Sequence, residues 1–141
     1  MSARTTLILG FLGAFSFACV ATAQSPAPPS NFHVIDTPND AGNAINLSWT
    51  LSVTDIVGSL ADIQTNVSAY VIQRTIVTIE DGEEIADVRD WQQLSESAAG
   101  DSAMTDRGVE RGTTYLYRIA SVDIQGDQSP LVESETVVPT F

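Results

Sequence analysis

Lysine is absent from this 141-residue chain, histidine occurs once, as His33, and there is one cysteine, Cys19, close to the N-terminus. Each shortage removes a class of chemistry. Beyond the first 23 residues no disulfide framework, thiolate nucleophile or thiolate metal centre can be built. A single histidine leaves no cysteine–histidine pair, and a serine triad would have to rest on His33. That residue has the opposite parity to Phe32 and Val34 in an alternating run, which predicts a solvent-facing side chain rather than a base or metal ligand. With no lysine, six arginines stand against 18 carboxylates, for a net charge of −12. Such a field repels phosphate backbones and anionic headgroups, which excludes nucleic acid as a partner. It permits basic proteins and divalent cations, although an acidic surface also keeps a domain soluble with no partner at all.

Long apolar runs are confined to one place. Arg4 precedes an uncharged, mostly apolar stretch from Leu7 to Val20, and Ala21-Thr22-Ala23 before Gln24 has the small-x-small form of a secretory cleavage site. Residues 1–23 are therefore expected to be a hydrophobic leader helix, removed on export. If retained, residues 5–23 would just reach across a hydrocarbon core at helical rise and hold the protein to a membrane. Cys19 is a poor lipid-attachment site, because Ser16-Phe17-Ala18 lacks the leucine-like residue three before the cysteine. Export places the protein in the periplasm or outside the cell.

Residues 24–30 hold three prolines and read as an extended linker setting off a domain at 31–141. That length buries roughly two thirds of its unfolded surface, enough for a core without staples. The core is expected from period-two alternation. Phe32 and Val34, then Ile45, Leu47 and Trp49, then Tyr115, Tyr117 and Ile119 each fall on one face of a strand. Tyr115 follows Val109 with Gly112 between them, the spacing at which a tyrosine hydroxyl reaches back across a corner to the main chain.

With those residues in order, the chain from Pro28 to Thr140 resembles a fibronectin type III domain. Ile45-Asn46-Leu47-Ser48-Trp49 resembles the family's second strand with its core tryptophan, and Tyr70-Val71-Ile72-Gln73-Arg74 its third. Thr105 to Val109 resembles the approach to the tyrosine corner, and Ser121 to Ser129 the end of the sixth strand and its hairpin into the seventh. The resemblance implies an all-β, immunoglobulin-like Greek-key sandwich of seven strands, with Trp49, Tyr70, Trp91, Tyr115 and Tyr117 in its core. It also implies that Trp91 and Leu94 cover the open side of that core, as a Trp-x-x-Leu does in many bacterial members.

The chain departs from the family pattern at residues 51–68, where a usually short connection is long. Ile56, Leu60 and Ile63 fall at i, i+4 and i+7, a spacing that predicts one face of a short helix. That face either folds onto the sandwich or docks a partner, with Ile56, Val57, Leu60 and Ile63 as the docking candidates. The family arrangement puts this connection at the pole where the chain enters the domain. A long hairpin is expected from Thr75–Ile79 and Ile85–Asp90. Its acidic tip, Glu80, Asp81, Glu83 and Glu84, surrounds an Asp-Gly turn and suits a basic partner, a cation or plain solvation. Residues 96–102 read as a small-residue loop. Asp36, Asn39, Asp40 and Asn43 are oxygen donors without EF-hand spacing, so a turn is favoured over calcium. No Arg-Gly-Asp occurs in the hairpin at 125–130, and two sequons begin at Asn46 and Asn66.

No cofactor is called for, and a small sandwich with a filled core offers no cleft to set one carboxylate's pKa against another. The expectation is a non-catalytic, exported protein-interaction module. Its first form is an accessory or stabilising subunit docked on a larger periplasmic-side membrane complex, its partner being another protein or protein complex that can itself be membrane-embedded. Its alternative is a free binding or adhesion protein for carbohydrate, surface polymer or calcium-bridged contacts.

Overall fold

A computed structural model describes residues 25–57, 65–85 and 89–141; the expected leader at 1–23, and Leu60 and Ile63, lie outside them. The alternating segments pair into two antiparallel sheets. One contains β1 (Ser30–Asp36), β2 (Ile45–Thr50) and β7 (Ala103–Asp106) in the order β1-β2-β7. The other contains β6 (Gln92–Ala98), β3 (Val67–Ile76), β8 (Tyr115–Asp123) and β9 (Val132–Glu133) in the order β6-β3-β8-β9. A separate hairpin joins β4 (Thr78–Glu80) to β5 (Glu83–Ile85). Among the described residues there is no helix.

The two inner faces meet in a single core. From the three-stranded sheet come Phe32, Ile45, Leu47 and Trp49; from the other come Val67, Tyr70, Ile72, Tyr115, Tyr117 and Ile119, with Val109 closing the corner. Asn46, Ser48 and Thr50 point the other way and are at least partly exposed, as the period of two requires. Burying a side chain of leucine size contributes roughly 1.5–3 kcal/mol, so this set supplies most of the force that holds the sheets together. Trp49 and Tyr70 make the aromatic contact across the gap, with ring centroids 5.6 Å apart. At the corner, the Glu110 amide donates to the Tyr115 hydroxyl at 2.8 Å. Gly112 supplies the positive φ of 80° that lets the chain turn there.

β8 departs from the expected one-sided pattern. Leu116 and Ala120, on its outward face, are as buried as the core residues. Around Leu116 stand described residues of β5, of the approach to β6 and of β9. Glu84 and Arg89 lie beside Leu116 and Glu133 around one shallow hollow, and Arg89 pairs with Glu84 and, at 3.8 Å, with Glu133. Trp91 lies against Arg118 of this outward face and not in the inter-sheet core that the family resemblance implies for it. The Arg118 guanidinium sits 4.1 Å from its ring centroid, while Arg118 Nε donates to Gln73 Oε1 at 2.5 Å. A cation placed over an indole face is favourable and needs no burial in apolar surroundings.

Three further expectations change. Residues 96–98 are strand, because β3 presents a free edge to which Val71, Tyr70 and Ala69 bind Glu96, Ser97 and Ala98. The long hairpin is two three-residue strands, since Thr75 and Ile76 remain paired with Leu116 and Tyr115 as part of β3. The proline-rich linker is not a free spacer: Ser30 already belongs to β1, and Pro26 and Pro29 are fully buried against the domain.

Candidate interaction surface

At the pole where residue 25 meets the sandwich, four segments converge. Ala27 N donates to Thr54 Oγ1 at 3.1 Å, and Ala27 O accepts from both Ser52 Oγ and Ser121 Oγ at 2.6 Å. The connection after β2 is anchored by Ser52, whose amide donates to the Tyr70 hydroxyl at 2.9 Å. That hydroxyl donates in turn to Asp55 Oδ2 at 2.7 Å, and the same oxygen accepts the Gly100 amide at 2.8 Å, which brings in the β6–β7 turn. Asn66 completes the pole by accepting two amides, Ile56 N on its side chain at 2.8 Å and Ile124 N on its carbonyl at 3.1 Å. The Asp123 carboxylate caps the β8–β9 turn by accepting the Gln125 and Asp127 amides, both at 2.9 Å.

This scaffold displays apolar side chains outward. Val53 is 84% exposed, Val57 87% and Ile124 50%. Ile56 is half-buried beside them, and the Ile56–Val57 backbone is not helical. Of the four residues proposed for docking, Ile56 and Val57 are thus at this pole, and Leu60 and Ile63 lie outside the described residues. Ile124 was not anticipated. It is the first residue past the alternation of β8, and the Val67–Asp123 pairing with the Asn66–Ile124 hydrogen bond brings it to the same pole as Ile56.

The acidic tip is elsewhere, beyond the opposite end of β3. Glu80, Asp81, Glu83 and Glu84 are all exposed, and Asp81 and Gly82 both have positive φ, 52° and 81°, as a tight two-residue hairpin turn demands. Asp40, weighed for calcium, has its carboxylate occupied by the Gly42 and Asn43 amides at 2.8 and 3.1 Å. Asp36 accepts Thr140 N at 2.9 Å. Among the described residues no cluster of three or more His, Cys, Asp or Glu side chains is placed to hold a metal ion. His33 is exposed on β1. Asn66 is buried and committed to the pole, so its sequon is closed to a glycan once the domain has folded.

Two core tyrosines carry perturbed hydroxyls. Burial pushes Tyr70 and Tyr117 well above the ordinary value of 10.0, and their carboxylate acceptors, Asp55 and Asp106, push the same way. The folded protein therefore keeps protons that the unfolded chain releases above about pH 10. Their contribution is whole below that pH and shrinks as the pH rises further. The urea midpoint is expected to fall above about pH 10, and Tyr70→Phe with Tyr117→Phe should flatten that fall. An equal decline in the double variant would assign the alkaline instability to other groups.

The order of the two sheets, the cross-sheet tryptophan and the tyrosine corner define a fibronectin type III-like β-sandwich. Solved structures agree. The chain is similar to an Fn3-like protein from Clostridium thermocellum, with a TM-score of 0.52, 19% identity, and coverage of 83% of this chain and 94% of that one. It is similar to the fn3 domain of human collagen alpha-1(XX) chain at a TM-score of 0.57 and 14% identity, covering 86% and 91%. It also matches the twitchin kinase region from C. elegans at a TM-score of 0.57 and 22% identity, covering 84% of this chain but 17% of that one. No family model matches the sequence, and no curated protein is similar to it.

Proposed function

We propose that this chain is a non-catalytic interaction module working outside the cytoplasm, as an accessory or stabilising subunit docked on a larger periplasmic-side membrane complex. The observation that carries this reading is the pole bearing Val53, Val57 and Ile124. Hydrogen bonds hold these apolar side chains in water at the end of the domain where residues 1–24 join it. A rigid apolar patch of this kind binds with little ordering cost. The leader sequence, retained or cleaved, accounts for delivery to the membrane. Carbohydrate binding has less support, because Trp49 and the three tyrosines are inside and Trp91 has Arg118 over its ring.

Gentle detergent extraction of the native protein is expected to recover it in a stoichiometric complex. Val53→Glu with Val57→Glu should reduce that recovery at least about tenfold, since each would bury an unpaired charge at the interface. The melting temperature should hardly change, because both positions are exposed. Recovery of the wild-type chain alone as a soluble species would remove the subunit reading.

A further inference from the structure

The segment 25–29 is a ligand of its own domain. Its two buried prolines and the Ala27 peptide group fill a seat whose donors come from both sheets: Ser52 follows β2 of one, and Ser121 lies in β8 of the other. Thr54 Oγ1 accepts the Ala27 amide on the same seat. Proline, alanine and two further prolines suit such a site, because they hold an extended backbone with little entropy to lose and leave one amide and one carbonyl to be read.

The junction between this arm and β1 is the least relaxed part of the strand. Asn31 has φ of 48°, a left-handed conformation that asparagine tolerates but does not prefer. The β1–β2 register also slips between Ser30 and His33. The arm reaches its own seat only through this turn.

We propose that the seat is a binding site for an extended proline-rich segment, and that its second occupant is the same arm of another copy. Straightening the chain at Asn31 releases the arm from its own domain, and two copies exchanging arms close a symmetric dimer with every contact of the seat restored. This proposal does not depend on the subunit reading.

The test uses the whole protein with substitutions at the hinge and in the arm. Asn31→Pro fixes φ near −65° and forbids the turn into the own seat. It is expected to run as a dimer in size exclusion with light scattering, with a melting temperature close to that of the wild type. Asn31→Gly, which relaxes the turn, should stay monomeric at every concentration. Pro26→Asp with Pro29→Asp should eject the arm and lower the melting temperature by roughly 10 °C. A synthetic peptide of residues 24–31 should then restore part of that loss, and should fail to do so when Ser52→Ala and Ser121→Ala are added. An Asn31→Pro protein that is monomeric with a fallen melting temperature would overturn exchange between copies. An arm-ejected protein indifferent to the peptide would overturn the binding site itself.

Discussion

Replacing Asp106 by alanine is expected to lower the unfolding free energy by about 3–5 kcal/mol, which urea denaturation of the purified domain would measure. Asp106 is 5% exposed and serves three partners. Its carboxylate accepts Arg74 Nη1 at 2.7 Å, the Tyr117 hydroxyl at 2.9 Å and the Gly108 amide at 2.9 Å. Arg74 also donates to Gly108 O at 3.1 Å and lies 5.2 Å from the Tyr115 ring centroid, so the group ties β3 and β7 to the corner. Truncation would leave a mostly buried guanidinium without its counter-charge and a tyrosine hydroxyl without its acceptor. Both penalties are those of desolvated groups left unpaired, and they exceed the modest net value of the bonds themselves. A domain of ordinary stability has about 5–15 kcal/mol to lose, so the variant should be close to unfolding at growth temperature. Arg74→Met added to Asp106→Leu should recover much of the loss. A double variant no better than Asp106→Ala would show that Tyr117 and Gly108, and not Arg74, carry the effect.

Trp49→Ala should be as damaging, at about 3–5 kcal/mol, while Trp49→Phe should cost at most about 1.5 kcal/mol. The difference lies in what each change removes. Trp49 is 4% exposed and packs on Tyr70 between the sheets, so alanine opens a cavity that the surrounding strands cannot collapse to fill. Its indole Nε1 is buried with no acceptor among the described residues. Phenylalanine keeps a ring in the gap and removes a donor that forms no bond, so lost area is partly offset by relief of an unpaired polar group. Paired melting curves of the two variants would decide the matter; equal losses would mean that the indole shape itself is required.

The parts of the fold that sequence alone made legible are those where one period rules one face. Ile45, Leu47 and Trp49 alternate because β2 has solvent on its other side. The corner was legible because a tyrosine, a glycine and their spacing together specify a single hydrogen bond. β6 was not, since Gln92–Ala98 is mostly polar and only Leu94 packs against the core. It is a strand because the free edge of β3 needs partners, a demand written in another segment. The seating of the arm is illegible for a related reason. Prolines cannot join a ladder, but their rings can be buried, and Ala27 supplies the polar contacts the prolines lack. The inward place of Trp91 is implied by the family resemblance, whereas in this chain Arg118 offers its ring a partner on the outer face. At the candidate site, Val57 was visible as an apolar residue in an overlong connection. The helix expected from the spacing at Ile56 falls mostly on residues 58–63, outside those described; at its start the Asn66 side chain takes the Ile56 amide. Ile124 had no signal of its own.

β8 is hydrogen-bonded to β3 along one edge and to the β9 segment along the other, and it is covered on both faces. Fraying cannot reach its middle from either side. Amide hydrogens there exchange with solvent only when the whole sandwich opens, so the slowest of them report the global unfolding free energy directly. In a two-sheet domain that role would ordinarily be shared among several strands; here the outer cover concentrates it in one.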